Sequence, residues 1–181
     1  MLEAYRAGFL VDQGVMRRGA AFLRDNLPSV GGLKSRWEAN RLAYMLYVLA
    51  EYHTTLEEGV QVELSRAVAL FERRQLLGRY GKALLAVALG LLEEGRERVD
   101  ILLGELAGDA VLSATGAHWE EDSPDYWNMN TDIRTTAIVL WAMSRLDPRS
   151  ELLPNTVRWL MAQRKEGHWE STQDTAWSLL G

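Results

Sequence analysis

Gly116-Ala117-His118-Trp119-Glu120 stands ahead of a stretch carrying Thr136-Ala137-Ile138-Val139-Leu140, and Gly167-His168-Trp169-Glu170 stands ahead of another carrying Thr175-Ala176-Trp177-Ser178-Leu179. A Gly-x-His-Trp-Glu or Gly-His-Trp-Glu turn followed by Thr-Ala-x-x-Leu is too long an echo to come from composition. It marks one supersecondary unit used more than once, and such repetition decides the architecture before any single residue is weighed.

Around these segments the chain reads as helices of two alternating kinds. Residues 15–27 carry one stripe of Met16, Ala20, Leu23 and Leu27, with Asp12 placed to cap them. Residues 60–76 repeat the pattern with Leu64, Ala67, Val68 and Phe71, residues 96–107 with Val99, Leu102, Leu103 and Leu106, and residues 151–164 with Leu153, Val157, Leu160 and Met161. Between them lie residues 37–52, 82–92, 131–146 and 172–180, which are apolar over most of the cylinder. A striped helix keeps one side in water, whereas one that is apolar all round is buried on all sides. Four such outer–inner alternations predict two layers of helices, as in an open solenoid or a closed α/α toroid. The irregular stretch 108–130 is expected to form a short β-hairpin near residues 110–120, followed by the acidic, proline-broken loop Glu120 to Asp125.

The 181 residues fit a single domain, 1–181, and the apolar content of 48 % with seven tryptophans supplies an ample core. A net charge of −5 without a basic stripe argues against nucleic acid as a partner. The pairs Arg17-Arg18 and Arg73-Arg74 read as solvated helix faces. There is no cysteine, which excludes disulfides, thiolate metal sites and a cysteine nucleophile. No apolar run approaches the ~18 residues of a membrane span, and the N-terminus does not read as a signal peptide.

Candidate chemistry is thin. Glu120, Glu121, Asp122, Asp125 and Asp132 are the types that cleave glycosides in pairs, but adjacent loop carboxylates are normally solvated. His53, His118 and His168 lack metal-ligand spacing. His118 and His168, equivalent in the repeat, are expected to do equal structural jobs. In Ser171-Thr172-Gln173-Asp174-Thr175, Ser171 or Thr172 is expected to cap the last helix, with Gln173 or Asp174 in its first turn. Gln163, Gly167 and Trp169 read as a clamp between an outer and an inner helix, in which the glutamine bonds backbone, the glycine makes the turn and the tryptophan covers the junction.

These same residues carry a resemblance. Trp169-Glu170-Ser171-Thr172-Gln173-Asp174-Thr175-Ala176-Trp177 looks like the segment that opens an inner helix in the thioester-containing domain of the alpha-2-macroglobulin and complement family, especially its bacterial members. Thr131-Asp132-Ile133-Arg134-Thr135-Thr136-Ala137 is similar to the preceding inner helix, and Val157-Arg158-Trp159-Leu160-Met161-Ala162-Gln163-Arg164 to the outer helix between them. His118-Trp119-Glu120 resembles a turn of that family, and Ala7-Gly8-Phe9 with Val11-Asp12 more loosely fits an earlier part. The likeness is specific over the last ~70 residues, enough for two repeat units, and weak before residue 80.

The resemblance implies an all-α, incomplete α/α toroid of helical hairpins. On it, His118, Trp119, Thr136, Gln163, Gly167, Trp169, Ser171, Thr172, Gln173, Asp174 and Thr175 are motif positions with structural roles, and no catalytic residue, metal or cofactor is implied. Such family members are bait-triggered protease traps, in which a thioester between the cysteine and glutamine of Cys-x-Glu-Gln captures the attacker. Without a cysteine this chain cannot hold that motif. It is expected to be either a toroid fragment that follows the thioester or a thioester-less relative. The implied partners are the rest of a parent chain, proteases met through that parent, and a second copy through an uncovered toroid edge. The implied location of the parent is periplasmic or extracellular. Gln163 with Trp169 also resembles the QW repeat of triterpene cyclases, so a terpene-cyclase-like or carbohydrate-active toroid enzyme is the alternative.

Overall fold

The computed structural model describes residues 1–56, 61–92 and 96–181. Within them the helices are α1 Leu2–Arg6, α2 Gln13–Asp25, α3 Arg36–Leu56, α4 Gln61–Phe71, α5 Arg79–Leu92, α6 Glu97–Gly108, α7 Asp132–Leu146, α8 Leu152–Gln163 and α9 Thr172–Leu180. A two-stranded antiparallel hairpin pairs β1 Val111–Ser113 with β2 Gly116–His118. None of these helices is long and apolar enough to cross a membrane.

The alternation of stripe and all-round burial becomes two layers. The inner row runs α3 on α5, α5 on α7 and α7 on α9. Helix α5 shows why: from Ala83 to Leu89 every side chain is buried, and a helix with no wet face must have neighbours on all sides. Helix α2 lies outside α3, α4 covers α3 and α5, α6 covers α5, and α8 covers α7 and β2. Outer helix α6 buries the expected stripe of Val99, Leu102, Leu103 and Leu106, whereas α8 buries Thr156, Trp159 and Leu160 and leaves the expected Val157 and Met161 exposed.

The inner row curls. Helices packed side by side sit 8–10 Å apart, so a straight row of four would hold its ends about 24–30 Å apart. Yet the ring of Tyr47 on α3 lies 6.5 Å from that of Trp177 on α9, and both meet Trp141 on α7, at 5.1 and 5.6 Å. First and last inner helices therefore converge on one aromatic cluster. The fold is all-α, an arc of an α/α toroid rather than a straight solenoid.

Several boundaries differ from the sequence reading. Helix α2 starts two residues earlier, where Asp12 Oδ1 accepts from the Gly14 and Val15 amides at 2.7 and 3.2 Å, and it ends before Leu27. Helix α3 continues to Leu56. The 60–76 stripe is α4 plus a separate 3-10 turn, Arg74–Leu76, and its first residue lies outside the described residues. Helix α1 had no signal in the sequence; its Arg6 meets the buried Glu51 carboxylate at 2.5 Å, and Arg145 of α7 pairs with the other oxygen. Arg73 and Arg74 are not a solvated face. Arg73 donates to the Val30 carbonyl, and Arg74 pairs with Glu105 at 2.7 Å while lying over the Phe71 ring.

Candidate functional site

The repeated turn is one device built twice. Trp119 is fully buried and donates its indole Nε1–H to the Leu106 carbonyl at the end of outer helix α6, at 2.7 Å. Its backbone amide donates to Thr136 Oγ1 on inner helix α7 at 3.0 Å, and that hydroxyl donates back to the Trp119 carbonyl at 3.3 Å. In the second copy Trp169 Nε1 donates to Leu160 O of α8 at 2.8 Å, and its amide pairs with Thr175 Oγ1 of α9 at 3.2 Å. Each tryptophan thus ties the last turn of an outer helix, whose carbonyls lack helical partners, to the first turns of the next inner one.

The clamp uses threonine where the sequence reading used glutamine. The Gln163 side chain makes no hydrogen bond among the described residues and borders a cavity instead. Gly167 does make the turn, with φ +92 after Glu166 at φ +50, as a two-residue hairpin between bridged Lys165 and His168 requires. The two histidines are not equivalent. His118 is buried, stacked on Trp159 with ring centroids 4.5 Å apart and bonded to Glu120 at 2.9 Å, whereas His168 is exposed and meets the Lys165 carbonyl at 2.8 Å. His53 lies elsewhere, on α3, and no group of three or more metal-ligating side chains occurs among the described residues.

The inner helices begin at one end of the arc, and the loop 119–131 closes that end. Ser171 caps α9 in a reciprocal box with Asp174, and the fully buried Asp174 also accepts from Thr131 Oγ1 at 2.5 Å. Thr131 in turn caps α7 through the Arg134 amide at 3.0 Å. Thr172 opens α9 as its first residue. Glu121 caps α5, accepting from the Tyr80 amide at 3.1 Å. Gly78 makes that approach possible, because a Cβ there would stand 2.3 Å from Glu121 Oε2. Burial pushes the Glu121 carboxyl above its ordinary value, against the backbone amides of Tyr80 and Arg79 that draw it down.

Glu121, Asp122, Asp125 and Asp132 border a cavity of about 560 Å³ together with Glu170 and Gln163. Glu121, Asp122, Asp125 and Asp132 are each held by protein donors, although Glu121 Oε2 is buried without a partner, and Glu170 is exposed with none among the described residues. Asp122 bridges Arg79 at 2.5 Å and Arg36 at 2.8 Å, and those two guanidinium groups hold it below its ordinary value. Asp132 accepts from the Glu121 amide at 3.0 Å. Asp125 Oδ2 accepts from Tyr80 Oη at 2.7 Å, Asn128 Nδ2 at 2.8 Å and Asn40 Nδ2 at 3.1 Å, while Oδ1 takes the Asn128 amide at 3.2 Å. The acidic cluster therefore fastens the loop to α3 and α5.

Burial raises the Asp125 carboxyl, but the donors Asn128, Tyr80 and Asn40 outweigh it, and its folded value lies below the ordinary one. A depressed carboxylate stabilises the fold above its unfolded pKa of about 3.9, and that contribution fades as pH falls through the folded value. Asp125→Asn is expected to cost about 1–3 kcal/mol at neutral pH, because charge-assisted bonds become neutral ones. It should also flatten the loss of stability below about pH 4. Urea titrations of both proteins at pH 7 and pH 3.5 check this: the gap between them should shrink at the lower pH.

An arc of hairpins joined by Trp–Thr clamps defines an α/α toroid domain. The family model described as the A-macroglobulin TED domain matches residues 29–181, and the chain belongs to that family of thioester-containing domains. No curated protein matches the chain. The match spans every clamp and the whole loop, while α1 and α2 lie before it.

Proposed function

We propose that this chain is the later part of the thioester-domain toroid of a bacterial alpha-2-macroglobulin-like protease inhibitor, and that it has no chemistry of its own. The observation that carries the reading is the open side of the arc. Between α2, α3 and α9 runs an apolar groove of about 550 Å³, bordered by Met16, Ala20, Phe22, Tyr44, Tyr47 and Trp177. Phe22 and Leu180, which border it, are 65 and 54 % exposed. A complete toroid has more hairpins than the four outer–inner pairs here, and the missing ones would cover this groove.

On this reading the thioester resides in the parent chain, since a cysteine is absent here. The parent would meet proteases outside the cytoplasm, in the periplasm or the medium, and the open edge would associate with a second copy when the chain stands alone. The enzyme alternatives lose support because the loop carboxylates are engaged in caps and ion pairs and because the centre of the arc is filled by Tyr47, Trp141 and Trp177.

The test is covalent capture by the parent protein. Incubated with trypsin, it should give a conjugate that survives boiling in detergent, and prior treatment with a small amine that opens thioesters should abolish it. The isolated chain should leave trypsin unaffected. A parent that forms no conjugate and leaves cleavage of large substrates unslowed would refute the proposal.

A further inference from the structure

On the other side of the loop from the acidic cavity, a second cavity of about 250 Å³ opens where α3, α5, α7 and α9 begin. Its wall carries Arg41, Arg134, Gln173 and Asn128 under the rings of Tyr44 and Trp127, with no acidic residue among its lining. In a chain of net charge −5 that is a local reversal of sign.

Arg134 is the unusual member. It is 6 % exposed, and among the described residues no carboxylate lies within ion-pairing distance of it. Its Nη1 donates to Asn130 Oδ1 at 3.0 Å and to the Asn128 carbonyl at 3.3 Å, its plane lies over the Tyr80 ring, and its buried Nε has no partner. Asp125 reaches the same tyrosine through the hydroxyl, but its oxygens are filled by other donors and it does not border this cavity. A buried charge without a counter-ion is costly, and a guanidinium edge pairs with an oxyanion, either a carboxylate or a phosphate. Beside it Trp127 is 79 % exposed and Met129 69 %, held out by the left-handed turn at Met129. Exposed aromatic and thioether side chains at a cavity mouth suit an apolar neighbour of the anion.

We propose that this cavity binds a carboxylate attached to an aromatic or apolar group, with Arg134 and Arg41 holding the anion and Trp127 and Met129 covering the body. The site stands independently of the protease-trap reading. The carboxylate comes either from a small organic acid or from an acidic side chain of a polypeptide.

The experiment is an NMR titration of the ¹⁵N-labelled chain, following the Arg134 Nε–H and Trp127 indole resonances. Phenylacetate and its neutral amide form one pair of probes, and the blocked dipeptides acetyl-Glu-Phe-amide and acetyl-Gln-Phe-amide form the other. A saturable shift of both resonances by at least one acid is expected, with its neutral counterpart at least ~10-fold weaker. The pair that binds tighter identifies the source. Arg134→Lys should weaken binding ~10-fold in a protein with unchanged circular dichroism, since an ammonium loses the fork. Arg41→Gln and Trp127→Ala change exposed side chains and are expected to fold, so they decide the matter should Arg134→Lys not. Unchanged affinity in both, equal binding of acid and neutral probe, or no saturable shift at all would overturn the site.

Discussion

Trp119→Ala is expected to be among the most damaging single changes in this domain, at about 3–5 kcal/mol. The side chain is fully buried and its indole N–H is the donor to Leu106 at the end of α6. Truncation removes the ring from the α6–α7 junction and leaves that carbonyl unpaired. Against a total of ~5–15 kcal/mol for a folded domain, the loss should lower Tm by roughly 6–20 °C at this chain length. Trp119→Phe should fall between, about 1–3 kcal/mol, because it keeps most of the packing and loses the donor. Trp169→Ala should cost less than Trp119→Ala, since Trp169 keeps some exposure, 4 %, with Arg164 over its ring, whereas Trp119 has none. Urea unfolding followed by circular dichroism ranks the three. Trp119→Ala unfolding at the wild-type midpoint would remove the clamp from the account.

Gly116→Ala should be nearly as severe, about 3–5 kcal/mol, for a different reason. The residue sits at φ +136, and a Cβ would stand 2.1 Å from the Asn155 carbonyl and 3.0 Å from the Trp159 amide. Both are backbone atoms of α8, so neither can swing aside. Backbone strain and overpacking each cost about 1–3 kcal/mol, and here they add. Gly167→Ala is the control. It has φ +92, but the nearest atom is the mobile end of Arg164 at 3.7 Å, so only the strain remains, about 1–2 kcal/mol. A calorimetric comparison should therefore separate two glycines that look alike in the repeat. Equal melting temperatures would mean that β2 does not press on α8 as described.

That pair shows what the sequence could and could not reveal. The layers were legible because burial on all sides leaves no polar residue in the run 83–92. Helices α3 and α7 are also buried over most of their length but include the buried polar residues Asn40, Glu51, Arg134, Thr135 and Thr136. Helix α9, expected to be buried all round, buries only Asp174 and Trp177. The repeated Gly, Trp and Thr positions were legible as well. Their chemistry was only half so: the indole bond to an outer-helix carbonyl and the Thr–Trp pairing depend on two segments meeting, which no local pattern reports. Gln163 was misplaced because a glutamine at a helix end has many partners in principle and here takes none among the described residues. Two histidines at like positions met unlike neighbours, Trp159 beside one and solvent beside the other. Nothing in the local sequence signals that Arg134, in the first turn of α7, is buried. Only the return of the loop residues 128–130 over α7 buries it.

The toroid depends on a row of inner helices that bends until its first and last members meet. The direct measurement is a set of ring-to-ring nuclear Overhauser contacts in protein labelled at tyrosine and tryptophan. Cross-peaks from Tyr47 to Trp177 and to Trp141, and between the two tryptophans, are predicted from centroid separations of 6.5, 5.1 and 5.6 Å. Contacts from Tyr47 to neither tryptophan in a folded sample would place α3 far from α9, and the toroid with everything inferred from it would fail.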